Sequence, residues 1–353
     1  MTPSTPDRRR PATVYDVAEA AGVSAQTVSR FLSGYEGIRP VTRAKVEAAL
    51  ARLDYRPNRV AQALRTRRSR RIGVVIHEMF AFGPAGLLRG ATRRAREDGY
   101  TLTIVGVDSE DEVAVASAFA AFEEEQAAGI MAVTLTDSVR HAVDARSTGV
   151  PILVDPAEVV REGASFNEAG AALAARHLVA LGHRRVAMLT GPEHWLPARQ
   201  RREGFVAELA DGPAECVRVW RGDWSAESGD RAARDLDPAD GITAIFAAND
   251  AGAIGLTHGL LARGIRVPED VSVIGFDATP DSAFGRPEVT TIDAHYEEQG
   301  RVAMDALLAQ IEERAPSPAP ATPPHLVVRG STGPPPPGSD FTLPAHPRTL
   351  EIT

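Results

Sequence analysis

The sequence predicts two parts of different fold class, a small all-α head followed by a larger α/β body that contains parallel sheets. Short helical patterns with a glycine turn fill the region up to residue 57, and from Ile72 onward apolar strands alternate with amphipathic helices. The charge also changes sign between the two regions. Up to Arg71 there are 15 Lys and Arg against 6 Asp and Glu, a net charge of +9, whereas the remainder carries 24 against 41, a net charge of −17. A basic head on an acidic body indicates that only the head meets a polyanion.

The composition excludes several classes of protein. Hydrophobic residues make up 43% and charged residues 24% of the 353 residues, as in ordinary globular proteins. The single cysteine, Cys216, excludes an internal disulfide framework, and no apolar run approaches the roughly 18 residues of a membrane span. The segment from Met1 to Arg10 is basic but lacks the apolar stretch of a secretory signal. We therefore expect a cytoplasmic protein with no membrane partner.

Motifs for catalysis and metal binding are not found in the sequence. The nine histidines are scattered, and no pair has the spacing of a zinc-binding helix. Neither a Gly-rich phosphate loop nor a Gly-x-Ser-x-Gly elbow occurs. We therefore expect no metal, no cofactor and no enzymatic activity.

Each helix of the head has a recognisable beginning. Thr13 with Asp16 three residues later predicts a capping box for a first short helix, and Gly22 then supplies a turn without a Cβ clash. Ser24 caps a second helix, Ser24–Leu32, and a third helix is predicted over about Val41–Leu53. Three short helices with a Gly turn between the first two are typical of a helix-turn-helix domain.

The outer face of the second helix has the residue types that read DNA. Gln pairs with adenine and Arg with guanine in the major groove, while small hydroxyl side chains suit phosphates. The predicted outer face carries Ala25, Gln26, Ser29 and Arg30, with Ser24 and Thr27 positioned for phosphates. A generic three-helix bundle with a polar outer face is the alternative.

The head motifs resemble the lactose-repressor (LacI/GalR) family of transcriptional regulators. The resemblance rests on Tyr15-Asp16-Val17-Ala18, Ala21-Gly22-Val23-Ser24, Thr27-Val28-Ser29-Arg30 and the hinge segment Tyr55 to Leu64, and it extends to about Ser331. It implies that Leu64 enters the minor groove at the operator centre, although a core position in the linker is the alternative. The remaining DNA-binding residues that it implies are Thr13, Tyr15, Asn58 and Arg59. Ala25 stands where the pattern carries a tyrosine, so the operator sequence need not be the same.

The body alternates strands and helices, which implies parallel sheets with helices on both faces. The predicted strands are Ile72–His77, Thr101–Val107, Ile130–Leu135, Val150–Asp155, Val186–Thr190, Cys216–Trp220, Ala244–Ala247 and Ser272–Phe276, with a last strand near His325–Val328 that returns to the sheet. The predicted helices are Pro84–Asp98, Glu110–Glu125, Asn167–Leu181, Arg199–Leu209 and Asp250–Arg263.

Polar side chains cluster just after these strands, where parallel sheets bind their ligands. Asp155, Asn249 and Asp277 each follow an apolar strand, while Arg201 and Trp224 lie shortly after two others. Carboxylates, an amide and an arginine hydrogen-bond vicinal hydroxyls, and an indole face stacks on the apolar face of a sugar ring. The sequence therefore predicts a carbohydrate site.

The family resemblance implies a bilobal, periplasmic-binding-protein-like sensor with two parallel-sheet subdomains. It implies that Asp155, Arg201, Asn249 and Asp277 hold sugar hydroxyls and that Trp224 stacks on the ring. Further effector contacts are expected from Phe166 and Tyr296 as apolar walls, Pro84 and Leu87 near an aglycone, and His77 and Trp195. His77 stands where the pattern carries a serine. Trp195 and Pro197 replace small serine-rich sequence beside the pocket and Ala294 stands where a glutamine is expected, which indicates a glycoside pocket of altered specificity.

The resemblance also implies a division into domains. We expect a helix-turn-helix head (1–57), a hinge helix and linker (58–71), a bilobal sensor (72–333) and a Pro-rich flexible tail (334–353). Lobe 1 should comprise about 72–166 and 294–323, and lobe 2 about 167–293 and 324–333. The tail has no Leu heptad, so we expect a homodimer. Its two heads should bind palindromic double-stranded operator DNA. The resemblance further implies a repressor that a small carbohydrate effector releases from that DNA.

Several positions have a structural alternative. Asp250 is expected to be a helix cap, Asp223 to organise its own turn, and Trp224 taken alone to be a core residue. Arg199 and Arg202 flank Arg201, so any of the three could be a surface charge.

Three alternative functions also remain. One is a transport-type sugar-binding protein, which the head argues against, and another is a sugar-modifying enzyme that uses Asp155 and Asp277 as acid and base. The third is a regulator whose effector is another oligosaccharide, a nucleobase or a sugar phosphate.

Overall fold

The computed structural model divides at Ser69–Arg70 into two compact units. It describes residues 12–32, 35–55, 69–108, 111–133, 136–144, 149–154, 165–210, 212–316, 322–338 and 351–352. The predicted site residues Asn58, Arg59, Leu64 and Asp155 lie outside these ranges. Within the ranges, no helix combines the length and apolar character needed to cross a membrane.

The described residues form eleven α-helices and eleven strands. The helices are α1 (Val14–Ala21), α2 (Ala25–Leu32), α3 (Pro40–Arg52), α4 (Phe82–Glu97), α5 (Glu112–Glu124), α6 (Asp137–Asp144), α7 (Phe166–Ala180), α8 (Leu196–Ala210), α9 (Ala226–Asp235), α10 (Asp250–Ala262) and α11 (Tyr296–Ile311). The strands are β1 (Arg71–Ile76), β2 (Thr101–Gly106), β3 (Gly129–Val133), β4 (Ile152–Val154), β5 (Arg185–Thr190), β6 (Glu215–Arg221), β7 (Ala244–Ala247), β8 (Ser272–Ile274), β9 (Thr291–Asp293), β10 (His325–Val327) and β11 (Glu351–Ile352).

The three helices of the head form as the sequence predicts. The Thr13 backbone N–H and hydroxyl both donate to Asp16 Oδ2 at 2.7 Å, and the Asp16 N–H donates back to the Thr13 hydroxyl at 3.3 Å, which confirms the capping box. Gly22 ends α1 with a left-handed backbone, φ +65°, where a Cβ would be strained. A small core centred on the fully buried Val17, Val28 and Val46 joins the three helices.

The body consists of two lobes, each with a parallel sheet covered on both faces. In lobe 1 the strand order is β2-β1-β3-β4, and α4, α5, α6 and α11 surround the sheet. In lobe 2 the order is β11-β6-β5-β7-β8, with α7 to α10 around it. Continuous burial along β1, β3, β5 and β7 is what a parallel sheet between two helix layers requires.

The last predicted strand does not return to either sheet. His325–Val327 instead pairs antiparallel with β9, so that Leu326 lies opposite Ile292. The chain reaches the edge of the lobe 2 sheet a few residues later, where the Val273 N–H donates to the Ser331 carbonyl at 2.8 Å. The pairing with β9 forms because both segments cross between the lobes at this place.

The chain is held against lobe 2 just before the Pro-rich tail. The His183 ring nitrogens contact the Thr243 hydroxyl and the Gly333 carbonyl, both at 2.9 Å, which fixes the chain just before Pro334. Burial of His183 lowers its pKa to about 4. Further along the chain, Glu351–Ile352 pairs parallel with β6.

Helices α4 and α11 approach each other unusually closely. A Cβ at Gly90 would lie 1.7 Å from the Glu297 carbonyl oxygen, and a Cβ at Gly300 would lie 1.9 Å from the Leu87 carbonyl oxygen. Only glycine fits at these two positions. The contact places the first turn of α11 beside the boundary between the lobes. Helices α6, α9 and α11 were not predicted from the sequence.

Candidate functional site

A cavity of about 260 Å³ lies between the two lobes. Lobe 1 contributes the N-terminal part of α4 and the first turn of α11, while lobe 2 contributes the ends of several strands and the helices that follow them. The lining residues used below are Phe82, Pro84, Leu87, Tyr296 and Gln299 from lobe 1 and Asn167, Trp195, Arg201, Trp224, Asn249, Asp277 and Thr279 from lobe 2. The site is therefore formed by residues that are far apart in the sequence.

Arg201 is the centre of a buried polar network on the cavity wall. Its Nε donates to Asn167 Oδ1 at 3.0 Å, and its Nη1 donates to the Ala248 carbonyl and, at 3.2 Å, to Asp277 Oδ1. Its Nη2 donates to the Tyr296 hydroxyl at 2.7 Å, and that hydroxyl donates to Asp277 Oδ1 at 2.6 Å. Tyr296 belongs to lobe 1 and its two partners to lobe 2, so these bonds join the lobes.

The electrostatics of the network follow from its burial. Desolvation raises the pKa of Asp277, although the Arg201 charge and the Tyr296 hydroxyl both favour its ionised form. Desolvation also raises the pKa of Tyr296 well above its ordinary value, so the phenol stays neutral and can donate. Arg199 and Arg202 instead bind Glu193 groups at the surface, so only Arg201 is the buried member of the three arginines.

Aromatic rings form the other wall. The ring of Trp195 meets that of Trp224 edge-on with centroids 5.8 Å apart, and the His77 ring packs against Trp195 at 5.1 Å. A Cβ at Gly191 would lie 2.2 Å from the Trp224 ring, so this glycine provides the space that the indole occupies. The Arg201 guanidinium carbon lies 5.5 Å from the centre of the Trp224 ring, which brings the polar and aromatic walls together.

Two buried polar atoms of the cavity lining lack a hydrogen-bond partner. Trp224 Nε1 is a donor on lobe 2, and Gln299 Oε1 is an acceptor on lobe 1. Leaving a buried polar group unpaired costs about 1–3 kcal/mol, so such atoms need an explanation. Their position on different lobes around one cavity fits a ligand that carries hydroxyl groups, since a hydroxyl both donates and accepts.

Asp250 is not the helix cap that the sequence predicts. Asn249 caps α10 by accepting from the Gly252 N–H at 3.0 Å, and its amide donates to the Trp224 carbonyl at 2.8 Å. The Asp250 carboxylate instead accepts from the Thr279 N–H at 2.6 Å and from the Thr291 hydroxyl. Burial, followed by the nearby Asp277 charge, raises the pKa of Asp250 to about 6. Asp223 does organise its own turn, as predicted, by accepting from Ser225.

The structure brings most of the predicted effector residues to this cavity. Those that line it are Pro84, Leu87, Trp195, Arg201, Trp224, Asn249, Asp277 and Tyr296. Among the described residues, His77 and Phe166 do not line it. The His77 ring packs against the Trp195 ring, and Phe166 is the first residue of α7. Asp155 lies outside the described residues. The sequence reasoning missed Phe82, Asn167, Thr279 and Gln299. Of these, only Phe82, close to the predicted Pro84, and Asn167, next to the predicted Phe166, had a nearby signal.

The predicted DNA-reading face of the head is accessible within its own unit. Tyr15, Ser24, Gln26 and Arg30 are exposed, and Thr13, Ala25, Thr27 and Ser29 are half-buried. The hydroxyls of Ser24 and Thr27 lie 2.9 Å apart, so both already take part in the cap of α2. Residues 12–55 contain five basic and five acidic side chains, so the basic excess comes from the arginines on either side of them.

This fold and site define a class of protein: a bilobal small-molecule sensor that follows a helix-turn-helix head. The chain belongs to the lacI family of bacterial regulatory proteins, whose model matches residues 13–58, and a periplasmic binding protein-like domain matches residues 175–332. It is therefore a DNA-binding transcriptional regulator.

Individual relatives support the same assignment. The chain is 35% identical to the lactose operon repressor of Escherichia coli K12 over 97% of this chain and 95% of that protein, and 31% identical to the regulator CelR of Thermobifida fusca over 92% and 99%. A crystal structure of the Lac repressor bound to ONPG in its repressed state matches with a TM-score of 0.82 and 34% identity, covering 92% of this chain and all of that one. A CelR–cellobiose complex matches with a TM-score of 0.65 and 29% identity, covering 91% and 100%. These relatives are transcriptional regulators rather than enzymes.

Proposed function

We propose that this chain is a homodimeric, cytoplasmic repressor that binds a palindromic operator and is released when a glycoside occupies the cavity between its lobes. The observation that carries the proposal is the cavity itself: aromatic rings and a buried arginine–carboxylate–phenol network line it together, with an unpartnered donor on one lobe and an unpartnered acceptor on the other. Stacking surfaces with a few convergent polar groups are what a sugar ring requires. Relatives solved with ONPG and with cellobiose support the same ligand class.

The roles of the lining residues follow from their chemistry. Arg201, Asp277 and Asn249 hold ring hydroxyls, and Trp224 stacks on the apolar face of the sugar. Pro84 and Leu87 contact an aglycone from lobe 1, and Asp155 completes the polar set. A cavity of about 260 Å³ is near the lower limit of ordinary ligand pockets, roughly 300–1,000 Å³, which favours a compact glycoside over a long oligosaccharide.

A fluorescence titration with galactosides, glucosides and short oligosaccharides tests this site. We expect a saturable change with one glycoside that is lost in Trp224→Phe. Trp220→Phe is the matched control, because Trp220 is buried against Asp235 through a 2.8 Å hydrogen bond and does not line the cavity. If a folded protein binds no member of the panel, the carbohydrate assignment is wrong and only the family assignment remains.

Operator recognition is proposed to depend on the exposed face of α2 and on the hinge. Gln26 and Arg30 read bases, Ala25 and Ser29 lie at the groove, and Thr13, Tyr15, Ser24 and Thr27 contact the backbone. Asn58, Arg59 and Leu64 act in the minor groove. Selection from random duplexes with the full chain should enrich a palindrome, which shifts in Gln26→Ala but not in the exposed third-helix control Glu47→Gln. Enrichment of a single asymmetric site would contradict a dimer with paired heads.

The sign of regulation and the salt dependence need separate measurements. Anisotropy titrations on the selected duplex should show affinity that falls with salt by roughly 0.9 per phosphate contact in log–log slope. The effector should weaken binding; tighter binding in its presence would reverse the proposed sign. Sedimentation of the full chain should give a dimer, and a tetramer would contradict the proposed assembly.

The absence of enzymatic activity is also part of the proposal. Asp277 is paired with Arg201 and Tyr296, so its carboxylate is committed to binding rather than to proton transfer. Incubation with aryl glycosides should give no turnover. Turnover that Asp277→Ala abolishes would show that the chain is an enzyme after all.

A further inference from the structure

Two histidines and an aspartate that are scattered in the sequence meet where the chain crosses between the lobes. Asp293 ends β9 and His325 begins β10, and the two are direct partners in the antiparallel pairing. His295 follows two residues after Asp293. Ligand-type atoms of all three side chains lie within 4.8 Å of one another. This group was not predictable from the sequence, because His325 is 30 residues away from His295.

The two imidazoles already point nitrogen atoms at each other. His295 Nε2 and His325 Nδ1 are 2.9 Å apart, and the rings are stacked with centroids 4.8 Å apart and planes 19° from parallel. At this distance one nitrogen must present a lone pair to the other. Two nitrogens on one tetrahedral zinc ion, each at about 2.0–2.1 Å, are roughly 3.4 Å apart. Binding of an ion would therefore lengthen the distance between these two nitrogens by about 0.5 Å and turn the rings so that both lone pairs face the ion, which the exposed side chain of His325 permits.

The backbone holds the ligands in place without an ion. The His295 N–H donates to Asp293 Oδ1 at 2.8 Å, and the His295 carbonyl accepts from the Gln299 N–H at 3.0 Å. These bonds keep His295 in a left-handed conformation, φ +54° and ψ +44°, which costs free energy for a residue with a Cβ. The β9–β10 register fixes His325 opposite Asp293. Sites supported in this way bind without much rearrangement.

We propose that Asp293, His295 and His325 form a binding site for a divalent transition-metal ion of the zinc class. Two imidazoles and one carboxylate suit Zn²⁺, Co²⁺ or Ni²⁺, whereas Mg²⁺ and Ca²⁺ prefer all-oxygen ligand sets. A second cavity, of about 520 Å³, is lined by Asp293 and His295 and leaves room for water as the fourth ligand.

The position of the site suggests what the ion would do. β9 leads from lobe 2 into α11 of lobe 1, and β10 lies on the return path, so an ion ties two crossing segments together. The residue after His295 is Tyr296, which lines both cavities and bonds to Arg201 and Asp277. A bound metal therefore stiffens the crossing next to the cavity between the lobes.

The test uses the full chain after removal of metal with a chelator. Titration with Co²⁺, followed by its visible absorption, and calorimetric titration with Zn²⁺ should each show one equivalent bound. His325→Ala and His295→Asn should weaken Zn²⁺ binding by at least about tenfold. Asn is chosen at position 295 because it tolerates the left-handed backbone, which keeps the variant folded.

His258→Ala is the matched control, because His258 is exposed and has a single carboxylate neighbour, Asp230, at 3.3 Å. It should bind Zn²⁺ as the unmodified chain does. The proposal is overturned if the chain binds no Zn²⁺ at 100 µM, a concentration about tenfold above a Kd of 10 µM. It is equally overturned if both cluster variants bind as tightly as the control.

Discussion

Replacing Tyr296 by Phe removes one oxygen atom from the contact between the lobes and leaves the ring in place. That oxygen accepts from Arg201 Nη2 at 2.7 Å and donates to Asp277 Oδ1 at 2.6 Å. Hydrogen bonds to charged groups contribute about 1.5–3 kcal/mol each. The Arg201–Asp277 pair remains at 3.2 Å, so neither charge is left without a partner. The two bonds sum to about 3–6 kcal/mol, and because the two charges keep each other as partners we expect a loss around the lower limit of that range, about 2–4 kcal/mol in the free energy of unfolding.

Urea denaturation without sugar, followed by tryptophan fluorescence, measures this loss. Tyr100→Phe is the control, because the hydroxyl of this buried tyrosine donates to Glu312 over a long distance, 3.4 Å. It should cost less than about 1 kcal/mol, since a hydrogen bond at that distance is weak. The reasoning is refuted if Tyr296→Phe costs less than about 0.5 kcal/mol, or no more than the control. The hydrogen bonds of Tyr296 would then not stabilise the contact between the lobes.

Three further predictions concern buried charge, helix packing and capping. The folded-state pKa of Asp250, about 6, is above its ordinary value of 3.8, so its contribution to stability is full below pH 3.8 and is lost as the pH rises through 6. Relative to Asp250→Asn, the unmodified chain should lose about 3 kcal/mol between pH 3.5 and 7 in urea denaturation, and parallel pH curves would contradict the shift. Gly300→Ala should destabilise lobe 1 by about 1–3 kcal/mol in the same assay despite the better helix propensity of Ala, and a stabilised variant would show that α4 and α11 can separate freely. Thr13→Ala should destabilise the head by about 1 kcal/mol, seen as faster amide exchange in α1 with unchanged exchange in α10; equal exchange in α1 would mean that the capping box contributes nothing.

The head could be predicted from sequence because its signals are local. A capping box needs residues three positions apart, and the Gly22 turn needs one residue, so Thr13, Asp16 and Gly22 are informative without any long-range knowledge. The parallel strands are equally local, since a strand buried on both faces appears as a continuous apolar run. These elements agree with the structure to within one or two residues at most of their ends.

The cavity was predicted in part, for a physical reason. Polar residues that follow strands, such as Asn249 and Asp277, must lie at the same end of a parallel sheet, so topology alone brings them together. Gln299 and Thr279 cannot be found in this way, because their positions depend on how closely α11 and the segment after β8 pack. Gly90 and Gly300 set the packing of α11 against α4, but a glycine in a helix does not reveal which helix it faces.

The Asp250 prediction was wrong because the sequence does not distinguish two adjacent polar residues at a helix start. Asn249 and Asp250 both suit a cap. In the structure Asn249 has the extended backbone of a cap residue, and the helix begins at Asp250. Asp250 was then buried under Thr279 and Thr291, which approach from segments about 30 and 40 residues later. The same kind of distant approach assembles His295 and His325.

The unpartnered atoms of the cavity indicate how a ligand would act on the lobes. Trp224 Nε1 belongs to lobe 2 and Gln299 Oε1 to lobe 1, so a ligand that bonds to only one of them leaves the other unsatisfied. A ligand whose hydroxyls reach both atoms gains about 1–3 kcal/mol from each, but only in the arrangement of the lobes that brings both within reach. A ligand shifts an equilibrium only by its differential affinity for the two states. The selective gain is therefore of the size usually found for coupling between two binding sites, about 1–3 kcal/mol, without any further contact having to change.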